Sequence, residues 1–194
     1  MATLDFDKLW RAHPLNNAEQ LPCRLPKDME VDGKLLLKGL PSYANQCAIR
    51  MGVCMHRAGI TIGELGGVAT CSFHGREEMH TLNAQQMGDA ISRLRYDNLS
   101  PVEKLTGADA AGFYTKIINR RGFIFFKDYW ARSVAIKGPA GTTEWVHEKS
   151  PTGDHVDLWN GYRTSANWLM EWFSWLGYYH TYSKSKEIWF WEIK

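Results

Sequence analysis

The chain has 194 residues, with 23 basic and 21 acidic side chains for a formal net charge of +2, and is 44% hydrophobic and 23% charged. That length suits one well-buried domain and is short for two, and the composition is that of a globular chain rather than a disordered one. The near balance of charge argues against a strongly basic nucleic-acid binder, and no run of about 18 apolar residues is present to span a membrane.

The opening residues, MATLDFDKLWRAHP, carry acids early and lack the apolar stretch of a secretory signal, so none is expected and export would fall to another machine. Leu4, Phe6, Leu9 and Trp10 predict a short helix over 3–12, with Thr3 or Asp5 as cap. Pro14, Pro22 and Pro26 then break the chain into loops, Asp32-Gly33 marks a turn, and Pro41 closes the region. Cys47, Met51, Cys54, Met55 and Ala58 recur at helical spacing and predict a helix over 43–58, with Asn45 as cap and Gly59 as stop. Residues 61–74 are glycine-rich and irregular. A second helix over 83–95 carries Met87, Ala90, Ile91 and Leu94, and ends before the turn at Asn98 to Pro101.

Beyond residue 112 the pattern changes. The run Gly122 to Phe126 reads as a buried strand, 137–141 as a loop, and 154–160 as a strand around Val156 and Leu158. The C-terminal KEIWFWEIK reads as a further strand, while 165–177 is compatible with a short helix. No repeat or linker interrupts the chain. Helices first and strands after is the α+β pattern, in a single domain over 1–194. Eight of the nine tryptophans lie after residue 120. The cluster Trp168, Trp172, Phe173, Trp175, Tyr178, Tyr179 and Tyr182 suits a core filling, a glycan groove or a docking surface.

The four cysteines are Cys23, Cys47, Cys54 and Cys71. None of their spacings is the close pair of a zinc ribbon, and Cys47 and Cys54 on one helix stand about 10 Å apart, too far for a disulfide. No metal, cofactor or disulfide framework is expected, and Cys23, Cys54 and Cys71 read as packing thiols. Cys47 differs because it falls in the first turn of its helix, where oriented N–H groups stabilise a thiolate. Among the histidines His13, His56, His74, His80, His147, His155 and His180, only His155 opens a strand behind a tight turn, Pro151-Thr152-Gly153-Asp154. A rigid strand-borne histidine beside a helix-borne cysteine is how Cys/His hydrolases are built. A purely structural role for His155 is the competing reading.

Three blocks then resemble one family. Tyr43-Ala44-Asn45-Gln46-Cys47-Ala48-Ile49-Arg50-Met51 resembles the nucleophile helix of the type VI secretion amidase effectors, fourth family. His155-Val156-Asp157-Leu158-Trp159-Asn160-Gly161 resembles their histidine strand, and Asn119 to Lys127 their basic-Gly-hydrophobic strand, in the same order. The resemblance implies a papain-like, NlpC-type fold and a cysteine amidase that cuts between D-glutamate and meso-diaminopimelate in the peptidoglycan stem peptide. It further implies injection by the type VI apparatus into the periplasm of rival bacteria, with a cognate immunity protein protecting the producer. A catalytically idle module of the same fold, gripping glycan or protein, is the alternative.

The chain departs from the family in three places, one being that the family's paired cysteines near the histidine region are missing, so no stabilising disulfide is expected there. Asp154 stands before His155 where the family has Gly, and the Asp that the family places about a dozen residues beyond the His is missing. Asn167, twelve residues past His155, is the nearest polar replacement, and an amide can fix an imidazole tautomer. Asp157 is its rival. It shares a strand face with His155, where parallel side chains suit substrate binding better than orienting the ring. Asn167 is therefore preferred as the third catalytic residue, with Asp157 kept open. Arg50, Trp159 and Asn45 are the expected substrate contacts, Arg50 because it projects near Cys47 and could take a stem-peptide carboxylate.

Overall fold

Asp5 starts the first helix, α1 (Phe6–Ala12), by accepting the Lys8 N–H at 2.9 Å, which settles the cap between Thr3 and Asp5. The computed structural model describes residues 2–31, 34–43, 45–130, 133–137, 143–147, 152–165 and 182–194. A short antiparallel hairpin follows α1, β1 (Met29–Val31) with β2 (Lys34–Leu36). Next comes α2 (Cys47–Ala58), which begins at Cys47 itself rather than at 43 and ends on Gly59 at φ 97°, a left-handed conformation that glycine adopts without strain. The irregular segment after it contains α3 (Ile62–Leu65). Asn83 caps α4 (Ala84–Ile91) through the Gln86 N–H at 2.9 Å.

Among the described residues, the main sheet has four antiparallel strands in the order β3 (Glu103–Thr106), β8 (Glu187–Glu192), β4 (Gly122–Trp130), β7 (Gly153–Trp159). Two small helices, α5 (Ala108–Ala111) and α6 (Phe113–Ile117), lie between β3 and β4 in sequence. A separate hairpin pairs β5 (Ser133–Lys137) with β6 (Thr143–His147). The chain is thus α+β with antiparallel sheets, but not strictly helices first. One strand of the main sheet precedes α5 and α6. The segment 166–181, with the aromatics from Trp168 to Tyr179, lies outside the described residues.

The apolar run in β4 is continuous because both of its faces are covered. Phe123 and Phe125 pair across from Leu158 and Val156 and pack with Trp189 and Trp191 against Leu9, Met51, Met55 and Met87 of the helices. Ile124 and Phe126 point the other way, into a second core with Trp159, Phe190, Phe113 and Ile117. These residues are all essentially inaccessible, except Phe113 and Trp189 at 6% each. Each large side chain so buried contributes about 1.5–3 kcal/mol. The first core fixes α2 against β7, with α4 on the same sheet. Among the described residues, no helix is long and apolar enough to cross a membrane.

Candidate active site

The start of α2 and strand β7 bring Cys47 and His155 together. Cys47 is the first residue of its helix, and its Sγ lies 3.9 Å from the Asp154 carbonyl oxygen on β7. Asp154 in turn accepts the Asp128 N–H at 3.1 Å through its carboxylate. Asp128 sits at φ 50°, where the β4–β7 register breaks between Phe126 and Trp130. Asp154 therefore ties the site to an irregular stretch of the neighbouring strand.

Burial alone would raise the Cys47 thiol above its ordinary value. The hydrogen bond with His155, its charge, the Val156 N–H and the Arg50 charge reverse this, and the thiol is lowered. Burial would likewise lower His155, but the Asp157 carboxylate and Cys47 raise it to about 9. The two directions agree. Each group thus favours the charged form of the other.

Asp157 holds the ring. His155 Nε2 donates to Asp157 Oδ2 at 3.3 Å, which leaves Nδ1 for the sulfur. Side chains at i and i+2 on a twisted strand converge enough here to make this bond, against the expectation that they would run parallel and free Asp157 for substrate. Asp157 is only 1% exposed, a place closed to a polymer substrate. Its other oxygen accepts the Leu158 N–H at 2.7 Å and lies 3.5 Å from His13 Nε2. Asn167, the preferred orienting residue in the sequence, lies outside the described residues.

His13 is a component that the sequence did not single out. It is 1% exposed, and its Nδ1 accepts the Leu15 N–H at 3.3 Å. The proton therefore sits on Nε2, aimed at Asp157. Burial lowers His13 to about 4, beyond what the Asp157 charge restores, so the ring is neutral at pH 7. Only its neighbour Pro14, which opens a 3-10 turn over Pro14–Asn17, hints at a fixed position in the sequence.

The expected substrate contacts fare differently. Asn45 is exposed and lines a cleft of about 300 Å³ together with Cys47, Leu82, Asn83 and Asp154. Its Oδ1 accepts the Cys47 N–H at 3.2 Å, although Gln46 occupies the cap position. Arg50 is half-buried, and its Nε donates to the Gln20 carbonyl at 2.8 Å, so the guanidinium is anchored to the N-terminal loop while its charge still acts on Cys47. Trp159 is corrected outright. It is fully buried in the second core, with Nε1 donating to the Ile117 carbonyl at 3.1 Å, and cannot reach a substrate. Tyr182, from the aromatic cluster, stacks on Phe126 at 3.9 Å between ring centroids and on His155 at 5.6 Å, and so backs the imidazole.

Comparison with known proteins adds to this geometry. No curated protein and no solved structure matches the chain. The model of one family, type VI secretion system (T6SS), amidase effector protein 4, matches residues 43–191, which spans Cys47, His155 and Asp157 and leaves His13 outside. The chain belongs to that family of peptidoglycan amidase effectors.

Proposed function

We propose that this protein is a cysteine amidase that cleaves the bond between D-glutamate and meso-diaminopimelate in the peptidoglycan stem peptide. The observation that carries this reading is the buried chain Cys47, His155, Asp157, with Cys47 at a helix start beside a cleft. A nucleophile on a helix packed against a sheet that carries the histidine also supports a papain-like, NlpC-type fold over 1–194 as one domain.

In this reading His155 and Cys47 react from the ion pair. The thiolate attacks the amide carbonyl, and its carbon becomes bonded to Sγ. The developing oxyanion takes the Cys47 N–H from Asn45, whose exposed side chain turns away from a long bond of 3.2 Å. His155 gives its proton to the leaving diaminopimelate amine. Water, deprotonated by His155, then releases the D-glutamyl carboxylate from the thioester. Asp157 keeps the imidazolium oriented and stabilised throughout. As an effector the enzyme is delivered by the type VI apparatus into the periplasm of a competing bacterium, and a cognate immunity protein protects the producer.

Purified sacculi incubated with the protein are expected to release fragments with a new D-glutamate carboxyl terminus and a free diaminopimelate amine, read by mass spectrometry of the muropeptides. Cys47→Ala is expected to release none. Undiminished cleavage by Cys47→Ala, or a cut at another bond, would overturn the assignment.

A further inference from the structure

Four side chains that the amidase site does not use converge beside the start of α2. One ligand atom from each of Cys23, Cys71, His74 and His80 lies within 4.8 Å of all the others. Cys71 Sγ is 3.2 Å from His74 Nδ1, Cys23 Sγ is 3.6 Å from the same nitrogen, and Cys71 Sγ is 3.8 Å from His80 Nδ1. A tetrahedral zinc ion with bonds of about 2.3 Å to sulfur and 2.0 Å to nitrogen sets sulfur–nitrogen edges at about 3.5 Å. The three separations bracket that value. Two thiols and two imidazoles, with no carboxylate among them, form a donor set that suits zinc and not magnesium or calcium.

The surroundings are built for a closed site. Cys23, Cys71 and His80 are 0%, 4% and 5% exposed, and His74 is half-buried at the rim. Cys71 and His80 sit on adjacent backbones, joined by the Cys71 N–H to the His80 carbonyl at 2.9 Å beside a bridge between Thr70 and Thr81. The loop between them turns back through a 3-10 turn at Arg76–Glu78 and carries His74 to the same point. The His80 ring directs Nδ1 at the sulfur, and its far nitrogen, Nε2, lies 3.9 Å from Glu78 Oε2. A carboxylate behind a coordinating imidazole is the usual second partner of a metal-bound histidine.

We propose that Cys23, Cys71, His74 and His80 form a structural zinc site. Binding replaces two thiol protons with one metal ion, giving two zinc–thiolate bonds and two released protons with no change in oxidation state. The closest rival is a Cys23–Cys71 disulfide. That bond would use both sulfurs and leave two imidazoles aimed at them without a role. Cys23 lies before the segment that the family model matches, so this site draws on a part of the chain that the family match does not reach. The site would clamp the Cys23 loop and the 71–80 loop to the residue before Cys47, because Gln46 bonds both backbone groups of Cys23. That consequence rests on the reading of Cys47 as nucleophile. The metal test below does not.

The test is metal analysis of the full-length, tag-free protein. Wild type and Cys47→Ala are each expected to hold one zinc per chain. After exchange, cobalt should give thiolate-to-metal charge-transfer bands together with the intense visible bands of a tetrahedral ion. His74→Ala, at the rim, is expected to stay folded by circular dichroism and to lose its metal to a chelator concentration that leaves wild type loaded. Cys71→Ser should not load at all. The cobalt spectrum of wild type reads the ligand set even where a variant unfolds. A metal-free wild type lighter by two hydrogens with a mapped Cys23–Cys71 link would overturn the proposal. So would weak octahedral cobalt bands, or zinc retention in His74→Ala equal to wild type.

Discussion

The Gln46 carboxamide pairs with the Cys23 backbone at two points, with Nε2 donating to the carbonyl at 2.8 Å and Oε1 accepting the N–H at 2.9 Å. Both residues are wholly buried, and Gln46 immediately precedes Cys47. The start of α2 is thereby fixed to a loop that lies far from it in sequence.

Gln46→Ala should therefore be costly. It strands a buried N–H and a buried carbonyl, each worth about 1–3 kcal/mol when left unpaired. A total loss of about 3 kcal/mol in urea denaturation is expected, with activity falling along with it. Gln46→Glu keeps the acceptor but replaces the donor with a buried charge, and should be at least as destabilising. A loss under about 1 kcal/mol for Gln46→Ala would show that the loop does not brace the helix.

Asp157→Asn tests which residue orients His155. The carboxamide fills the same space but does not stabilise the imidazolium in the way a carboxylate does, and a drop of about 10³–10⁴ in kcat with little change in KM is expected. Asn167→Ala is expected to stay within a few-fold of wild type. The opposite ranking would return the orienting role to Asn167.

The pH dependence of Cys47 alkylation and of sacculus cleavage follows from the two shifts. The thiol is lowered, so reactivity is established below the ordinary thiol range. His155 is raised to about 9, so cleavage should hold until the pH nears 9 and then fall as the imidazolium loses the proton needed by the leaving amine. The hydrogen bond to Asp157 is the largest of the effects that raise His155, so Asp157→Asn should move the alkaline limb to lower pH. An unmoved limb would mean that Asp157 does not set the His155 proton affinity.

His13 predicts a loss of stability in acid. Its folded value of about 4 lies below the ordinary 6.5, so the unfolded chain binds a proton that the native state refuses between those limits. Stability is complete above 6.5 and falls as the pH drops toward 4, by about 3 kcal/mol in total. His155 has the opposite sign. Its contribution is complete below 6.5 and fades as the pH rises through about 9, so it cannot produce the acid loss. His13→Gln keeps a donor toward Asp157 without a titrating ring. Thermal melts between pH 4 and 7 should show a flatter profile for His13→Gln than for wild type, and equal slopes would clear His13 of the effect.

Local pattern made part of this molecule readable in its sequence. Helical spacing of Cys and Met placed α2, the unbroken Phe and Ile run placed β4, and the alternation around Val156 placed β7. These features report their own segment's burial. The strand order β3, β8, β4, β7 depends on pairings between distant segments, such as Phe125 with Trp189, and no local period encodes them. His13 meeting Asp157 and Cys23 meeting His74 are contacts of the same long-range kind. The short spacing of Cys71 and His74 is visible in the sequence, but Cys23, which completes the group, lies far from them along the chain. Trp159 is illegible for a related reason, because its place on the strand of His155 says nothing of which face it occupies.

Gly52 gives a sign that propensity alone gets wrong. In the interior of a helix such as α2, replacing Gly with Ala ordinarily stabilises by about 1 kcal/mol. Here a Cβ would stand 1.9 Å from the Met79 backbone carbonyl and 2.9 Å from Thr81 Oγ1. The backbone cannot yield cheaply, because Thr81 donates to the Ala48 carbonyl at 2.6 Å and His80 lies between Met79 and Thr81. Gly52→Ala must push α2 away from the 79–81 segment or break that hydrogen bond. A net destabilisation of about 2 kcal/mol or more is expected in urea denaturation, as for other overpacked cores. The displaced segment carries His80, so the variant should also yield zinc to a chelator more readily than wild type. A stabilised Gly52→Ala would mean that the helix and this segment are not in contact.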